Sequence, residues 1–427
     1  MSKNKTVAFQ TFGCKLNFAE TSTIAKSFNK KGYQIVKPNQ KADIYVINSC
    51  TVTANAEKRC RDAVKKAKKI NPKAEIAMVG CYAQLRNKEL KSLNSIDYIL
   101  GNHEKYQLVE HIENSNSTCF SSNEDILKIS DFSPAFNAND RTRTFLKIQD
   151  GCDYYCTFCA IPFARGKSRS DTIENTLKQA YEIAEQGQKE IILTGVNIGT
   201  FGENNQEDFY SLLKALEQVD GIERIRISSI EPNLLTDDII ELVSQSKKIL
   251  PHFHIPLQSG SDEMLKLMKR KYKRDVFAQR VHLIKEKMPL ACIAADVIIG
   301  SPGETESLFE ETYHFIDSLD ISYLHVFTYS DRPEAYANKM TNKVSAKDKK
   351  IRSKRLHQLG EIKKREFYKI NTESTHSILW ESANKKGMMN GLTDNYIPVS
   401  TKYNKNKINT LETIKLQKLD NTGEWTT

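Results

Sequence analysis

Three separate apolar runs near the start of the chain each end on a cysteine, and this pattern constrains the fold more than any other feature. VAFQTFGC ends on Cys14, IYVINSC on Cys50 and EIAMVGC on Cys81. The strands expected within them are Val7–Phe12, Asp43–Asn48 and Glu75–Val79. Amphipathic stretches at Ala19–Lys31 and Ala54–Ile70 separate them, and a short helix is expected at Lys88–Leu93. Such alternation predicts a parallel sheet covered by helices. The carboxyl ends of parallel strands meet on one edge, so cysteines far apart in sequence become neighbours. Three of them at matching positions read as a metal site. The alternative is three small core residues, since free cysteine is often buried.

Cys152-Asp-Tyr-Tyr-Cys156-Thr-Phe-Cys159 is the strongest local signal. Three thiolates in one short loop can hold three irons of a [4Fe–4S] cubane and leave the fourth iron open, which is a catalytic arrangement. Zinc is the competing reading, but it usually takes a fourth Cys or His nearby. The loop follows an expected strand at Thr144–Gln149. Further strands are expected at Glu190–Thr194, Arg224–Ser228, His252–Pro256, Ile293–Ile299 and Tyr323–Phe327, with helices such as Thr172–Gln186 and Asp275–Lys287 between them. Six such units predict a complete or partial parallel barrel, whose chemistry lies at the strand carboxyl ends. Cys60, Cys119 and Cys292 have no comparable setting and read as structural or incidental.

The remaining segments are a Ser/Asn/Asp-rich linker over 114–142, with an edge strand expected at Ile126–Ile129, and a basic amphipathic helix over 346–369. The tail carries short strand-like pieces at Ser377–Trp380, Tyr396–Val399 and Thr413–Leu416, which suggests a small β-domain. The chain has 427 residues, enough for two or three domains. Its net charge is +10. From Thr341 onward there are 18 Lys and Arg against 9 Asp and Glu, so the basic character belongs to the tail and points to an anionic partner. No stretch approaches the ~18 apolar residues of a membrane span, so a cytoplasmic protein with no membrane association is expected. In that reducing setting the nine cysteines are thiols for metal or catalysis rather than disulfides.

The ordered motifs resemble the methylthiotransferase branch of the radical S-adenosylmethionine enzymes over nearly the whole chain. They are TFGCKLN (11–17), INSCTVTANAEKRCR (47–61), GCYAQ (80–84), DGCDYYCTFCAIPFARGKSRS (150–170), LTGVNIGTFG (193–202), RISSIEP (226–232), HFHIPLQSGSDEMLKLMKRKY (252–272), DVIIGSPGET (296–305) and HVFTYSDRPEAYA (325–337). The resemblance implies an N-terminal methylthiotransferase domain over 1–113, the linker over 114–142, a radical barrel with its basic helix over 143–370, and an RNA-gripping TRAM-like domain over 371–427. It implies two [4Fe–4S] clusters, one on Cys14, Cys50 and Cys81 and the other on Cys152, Cys156 and Cys159. For S-adenosylmethionine it implies Phe158 near the adenine and Thr194, Gly195 and Asn197 near the methionine amino group. It further implies Gln258 and Ser259 at the barrel rim and Ile298, Gly300 and Glu304 in an adenine-side motif.

CKLN, SCTVTANAEKRCR, LTGVNIG and ISSIEP are most similar to the subfamily that acts on N6-threonylcarbamoyladenosine beside the tRNA anticodon. The sequence departs from the usual pattern at SPGE, where an aromatic commonly precedes the proline, and after Pro333, where Gly-Thr is usual. The resemblance implies the tRNA anticodon stem-loop as partner and a flavodoxin-like reductant, and it leaves the sulfur donor unassigned. Two rivals are an acceptor of another kind, isopentenyladenosine or a ribosomal protein, and a non-catalytic iron–sulfur RNA-binding or electron-carrier protein. Arg165 and Arg169 read either as partners for carboxylate or phosphate or as a solvated face. Trp380, Tyr396 and Tyr403 read either as base-stacking platforms or as core.

Overall fold

The computed structural model describes residues 5–114, 120–122, 124–137, 141–383, 387–417 and 425–426. Cys119 lies outside the described residues, as does part of the expected linker. Two compact units emerge.

The first unit comprises Met1–Asn137, Phe145–Asp171 and Ser330–Asn338. Its centre is a six-stranded sheet built from β1 (Thr6–Thr11), β2 (Gln34–Val36), β3 (Ile44–Ser49), β4 (Glu75–Gly80), β5 (Tyr98–Leu100) and β6 (Phe120–Ser122), in the order β2-β1-β3-β4-β5-β6. Every pairing in it is parallel. Helices α1 (Lys15–Lys30) and α2 (Ala54–Ile70) follow β1 and β3, and the short α3 (Cys81–Leu85) follows β4. All six residues of β3 are buried, as a central parallel strand covered on both faces requires. One face packs β-strand side chains such as Ile76 and Met78 against Cys60, Ala63 and Val64 of α2. The other packs Val7, Val46 and Val79 against Ile24 and Phe28 of α1. The Thr53 hydroxyl accepts from Ala56 N at 3.1 Å and fixes the start of α2.

The edges differ from expectation. β2 and β6 are only three residues long, and β6 falls in the stretch read as linker. Short edges protect a sheet from further pairing, and they are too short to carry a period. The edge strand expected at Ile126–Ile129 is instead one turn of 3-10 helix over Ile126–Lys128. The Asp125 carboxylate accepts from Leu127 N at 3.2 Å, which caps a turn rather than letting the chain extend. Later in this unit Leu146 and Lys147 pair antiparallel with Phe136 and Ala135, and Gln149–Asp150 pairs with Arg169–Ser170.

The second unit comprises Ala138–Thr144, Thr172–Tyr329 and Lys339–Thr427. Here Glu190–Thr194 pairs in parallel with Arg224–Ile227, and His252–Gln258, Cys292–Ile299 and Tyr323–Thr328 form a parallel trio. Helices Ile173–Glu185, Phe209–Glu217, Asp237–Gln245, Arg274–Lys287 and Glu306–Asp317 alternate with these strands. The basic helix runs from Ala346 to Ile370. The tail is a five-stranded sheet in which Leu411–Lys415, Thr375–Ala383, Met388–Thr393 and Pro398–Lys402 pair antiparallel, with Trp425–Thr426 parallel at one edge. Tyr396 is not in a strand. It sits in the turn before Pro398 with φ +72°, because Thr393 O accepts from Tyr396 N at 3.1 Å and closes the chain. Trp380 is fully buried with its indole N–H on Glu412 Oε2 at 2.7 Å, so it is core and not a stacking platform. Tyr403 remains exposed. Among the described residues no helix is long and apolar enough to cross a membrane.

Candidate functional site

The three early cysteines all stand at the carboxyl edge of the first sheet. Cys14 caps α1, Cys50 follows β3, and Cys81 opens α3 directly after β4. Two glycines let the chain turn there. Gly13 has φ +102°, and a Cβ on it would lie 3.2 Å from Cys50 Sγ; Gly80 has φ +94°, and its Cβ would lie 2.5 Å from Asn48 Oδ1. Asn17 ties the strand ends together, with its Nδ2 donating to Phe12 O at 2.7 Å and Ser49 O at 3.1 Å. Burial pushes the Cys50 thiol up to about 12, and the nearby Cys81 and Cys14 thiols add to the rise. The three thiols therefore share one neighbourhood. Burial raises the Cys14 thiol as well, although the Arg165 guanidinium opposes the rise, so binding a metal there would displace protons from Cys14 and Cys50.

The Cys152–Cys159 loop lies in the same unit. Gly151 enters it with φ +70°, where an added Cβ would meet Lys167 O at 1.9 Å, and Tyr155 turns it with φ +47°. Cys159 N donates to Cys156 O at 3.0 Å, and Cys152 N donates to Gly166 O at 3.1 Å. Two backbone amides aim at sulfur: Tyr154 N at Cys152 Sγ, 3.5 Å, and Ile161 N at Cys159 Sγ, 3.4 Å. Amides so directed stabilise charge on a thiolate and suit a set of iron ligands. Cys156 is buried, and Phe158 is half-buried between the last two cysteines.

Beside both cysteine sets is a buried network of six charges that the sequence did not disclose. Glu20 pairs with Lys105 at 2.6 Å, Lys147 at 3.2 Å and Arg165 at 2.9 Å. Asp150 pairs with Lys147 at 2.7 Å, Arg165 at 3.0 Å and Arg169 at 3.3 Å. All six are buried, which overturns the reading of Arg165 and Arg169 as a solvated face. Burial pulls Lys105 down to about 8 although Glu20 opposes the fall. Burial alone would raise Glu20, but the Arg165, Lys105 and Lys147 cations outweigh it and hold its carboxyl far below the ordinary range.

The remaining candidates lie in the second unit, at strand ends. Thr194 closes its strand and is buried, Gly195 follows it half-buried, and Asn197 is buried. Gln258 ends the His252–Gln258 strand with φ +63°, and its buried Oε1 has no hydrogen-bond partner among the described residues. Ser259 Oγ meets Thr312 Oγ1 at 2.9 Å. A non-glycine residue in the left-handed region beside an unsatisfied oxygen is strain of the kind found at binding sites. Ile298 is half-buried on its strand. Gly300 N donates to both carboxylate oxygens of Glu304 at 3.0 Å, and Arg352 of the basic helix donates to Glu304 Oε1 at 2.6 Å. The Glu304 carboxylate thus braces the glycine turn against the helix. His254, Asp296 and His325, unremarked in the sequence, bring their ligand atoms within 4.8 Å of one another across three neighbouring strands.

Comparison with known proteins agrees with this architecture. Residues 6–101 match the model described as uncharacterized protein family UPF0004, and residues 146–316 match the radical SAM superfamily. The chain is 40% identical to the threonylcarbamoyladenosine tRNA methylthiotransferase MtaB of Bacillus subtilis, over 97% of this chain and 94% of that one. It is 38% identical to the enzyme of the same name from Aquifex aeolicus, over 92% and 96% of the two chains. To the tRNA-2-methylthio-N(6)-dimethylallyladenosine synthase of Staphylococcus epidermidis it is 31% identical, over 97% and 83%. Among solved structures, the radical S-adenosylmethionine methyltransferase TsrM from Kitasatospora setae superposes with a TM-score of 0.58 at 12% identity, covering 78% of this chain and 77% of that one, a likeness of fold alone. With both family models matched in order and relatives similar along almost the whole length, the chain belongs to the radical S-adenosylmethionine methylthiotransferase family.

Proposed function

We propose that the protein methylthiolates C2 of N6-threonylcarbamoyladenosine beside the anticodon of tRNA, using two [4Fe–4S] clusters and two molecules of S-adenosylmethionine, one cleaved to give the radical and one donating the methyl group to the sulfur. The observation that carries this reading is the pair of cysteine triples within one compact unit, one at a sheet edge and one in a loop of amide-to-sulfur contacts. Cys152, Cys156 and Cys159 would hold the cluster that leaves one iron open, and Cys14, Cys50 and Cys81 the other. When bound, these groups supply an electron that cleaves S-adenosylmethionine to methionine and a 5′-deoxyadenosyl radical, and a sulfur for transfer. A radical suits this acceptor because C2 of adenine is inert to polar chemistry at neutral pH.

The chain's own residues bind and orient. Phe158 supplies an apolar face for the adenine of S-adenosylmethionine. Thr194, Gly195, Asn197, Gln258, Ser259, Ile298 and Gly300 supply backbone and polar groups at strand ends, and Glu304 holds the Gly300 turn in shape. Residues 1–113 form the methylthiotransferase domain, 143–370 the barrel and basic helix, and 371–427 a TRAM-like domain. The helix and tail carry the basic excess and track tRNA phosphates by counterion release. A flavodoxin-like protein is the proposed reductant, and the cytoplasm, where tRNA is modified, the proposed location. Relatives at 34–40% identity carry the threonylcarbamoyl substrate in their names, against 31% for the dimethylallyladenosine synthase of Staphylococcus epidermidis. Nucleosides from a strain lacking the gene are expected to show no 2-methylthio-N6-threonylcarbamoyladenosine by mass spectrometry, with the unthiolated nucleoside accumulating. Unchanged levels of the thiolated nucleoside would sink the assignment.

A further inference from the structure

The buried network beside the cysteines is out of balance. Lys105, Lys147, Arg165 and Arg169 are four cations, while Glu20 and Asp150 are two anions. A surplus of two positive charges in a buried site is costly unless something neutralises it. The network reaches both cysteine sets. Arg165 Nη2 donates to Asn17 Oδ1 at 2.7 Å, and Cys14 Sγ lies 3.9 Å from the same oxygen. Lys105 Nζ donates to Asn102 Oδ1 at 2.9 Å, and Asn102 Nδ2 donates to Cys81 Sγ at 3.4 Å. On the other side Asp150 immediately precedes the Gly151–Cys152 turn, and Arg165 ends the helix Ile161–Arg165 that leaves Cys159. A [4Fe–4S] core in its resting state on three thiolates carries a net charge of roughly −1. Two such groups match the surplus.

We propose that this network is the built-in counter-charge of the two clusters, with Arg165 and Lys105 as positioning residues that raise the reduction potential of the cluster on Cys14, Cys50 and Cys81. The proposal rests on the reading that those cysteines are ligands. Cluster potential rises with nearby positive charge and falls when it is removed. Arg165 acts through Asn17 and Lys105 through Asn102, so neither needs to touch substrate.

The test uses the full chain with Cys152, Cys156 and Cys159 changed to alanine, reconstituted anaerobically so that one cluster remains, and follows its midpoint potential by redox titration with electron paramagnetic resonance. Arg165→Met, which removes a cation, shifts the potential to a more negative value. Glu20→Gln, which removes an anion, shifts it to a more positive one. The double variant returns close to the parent, because the surplus is restored. If Arg165→Met does not accumulate as folded protein, Lys105→Met carries the same negative sign. A network that serves only to hold the fold gives no sign reversal, so unchanged potentials, or shifts of one sign for both charge types, overturn the proposal. A parent protein that holds no iron overturns the ligand reading itself and is told apart by iron analysis before any titration.

Discussion

Changing Cys156 to alanine is expected to abolish 5′-deoxyadenosine formation and to remove about half of the iron that the reconstituted protein binds. Cys156 is the buried middle member of its loop, and the Cys156 carbonyl closes the turn by accepting from Cys159 N at 3.0 Å. That bond is made by backbone, so alanine preserves the loop shape while deleting one of three thiolates. Cys14, Cys50 and Cys81 are on other elements and are expected to keep their share of iron. The fold is expected to survive, because the loss is one sulfur and not a core side chain, and a thermal melt within a few degrees of wild type checks this. Iron assay and chromatography of the dithionite-reduced reaction give the two readouts. 5′-Deoxyadenosine at the wild-type level would contradict the role of this loop.

The second large effect concerns stability. Glu190 is fully buried, with Arg226 Nε at 3.0 Å and Arg224 Nε at 2.9 Å from its two oxygens. The same guanidiniums reach the tail sheet: Arg224 donates to Thr393 O at 2.8 Å, Arg226 donates to Asp394 O at 3.1 Å and lies 4.9 Å from the Tyr396 ring centre. Glu190→Gln leaves two buried guanidiniums without their counter-ion and is expected to cost about 3–5 kcal/mol. Burial alone would raise the Glu190 carboxyl, but Arg226, Arg224 and Arg143 outweigh it and hold it at about 2. A carboxyl depressed in the folded state contributes stability above its unfolded pKa of about 4.5, and that contribution fades as pH falls from there toward 2. Denaturant titrations at pH 7 and pH 3 check both points: the gap between wild type and Glu190→Gln should be large at pH 7 and narrower at pH 3. A gap independent of pH would show that the charge of Glu190 is not what binds these elements.

Much of this architecture was legible because its strands are continuous apolar runs with sharp ends. IYVINSC and EIAMVGC could be bounded to within a residue or two, and the helix Ala54–Ile70 matched its expected limits because Thr53 caps it. The cysteine edge followed from parallel topology alone. β2 and β6 escaped because a three-residue strand at a sheet edge is too short to show a period. Asp125 turned an apolar stretch into a 3-10 turn, an effect of one capping side chain. The network around Glu20 and Arg165 was illegible for a different reason. Its members come from α1, the Lys105 turn and both sides of the Cys152 loop, so only the fold reveals that charges at positions that read as surface are buried together. The fate of Trp380 shows the same limit, since its burial depends on Glu412 from another strand.

Under the proposed function the two cysteine sets do different work, one making a radical and the other supplying sulfur. The most direct measurement compares wild type with Cys50→Ala in an anaerobic reaction with dithionite, S-adenosylmethionine and an anticodon stem-loop carrying N6-threonylcarbamoyladenosine. Cys50→Ala is expected still to cleave S-adenosylmethionine to 5′-deoxyadenosine but to yield no 2-methylthio nucleoside. Full methylthiolation by Cys50→Ala would contradict it.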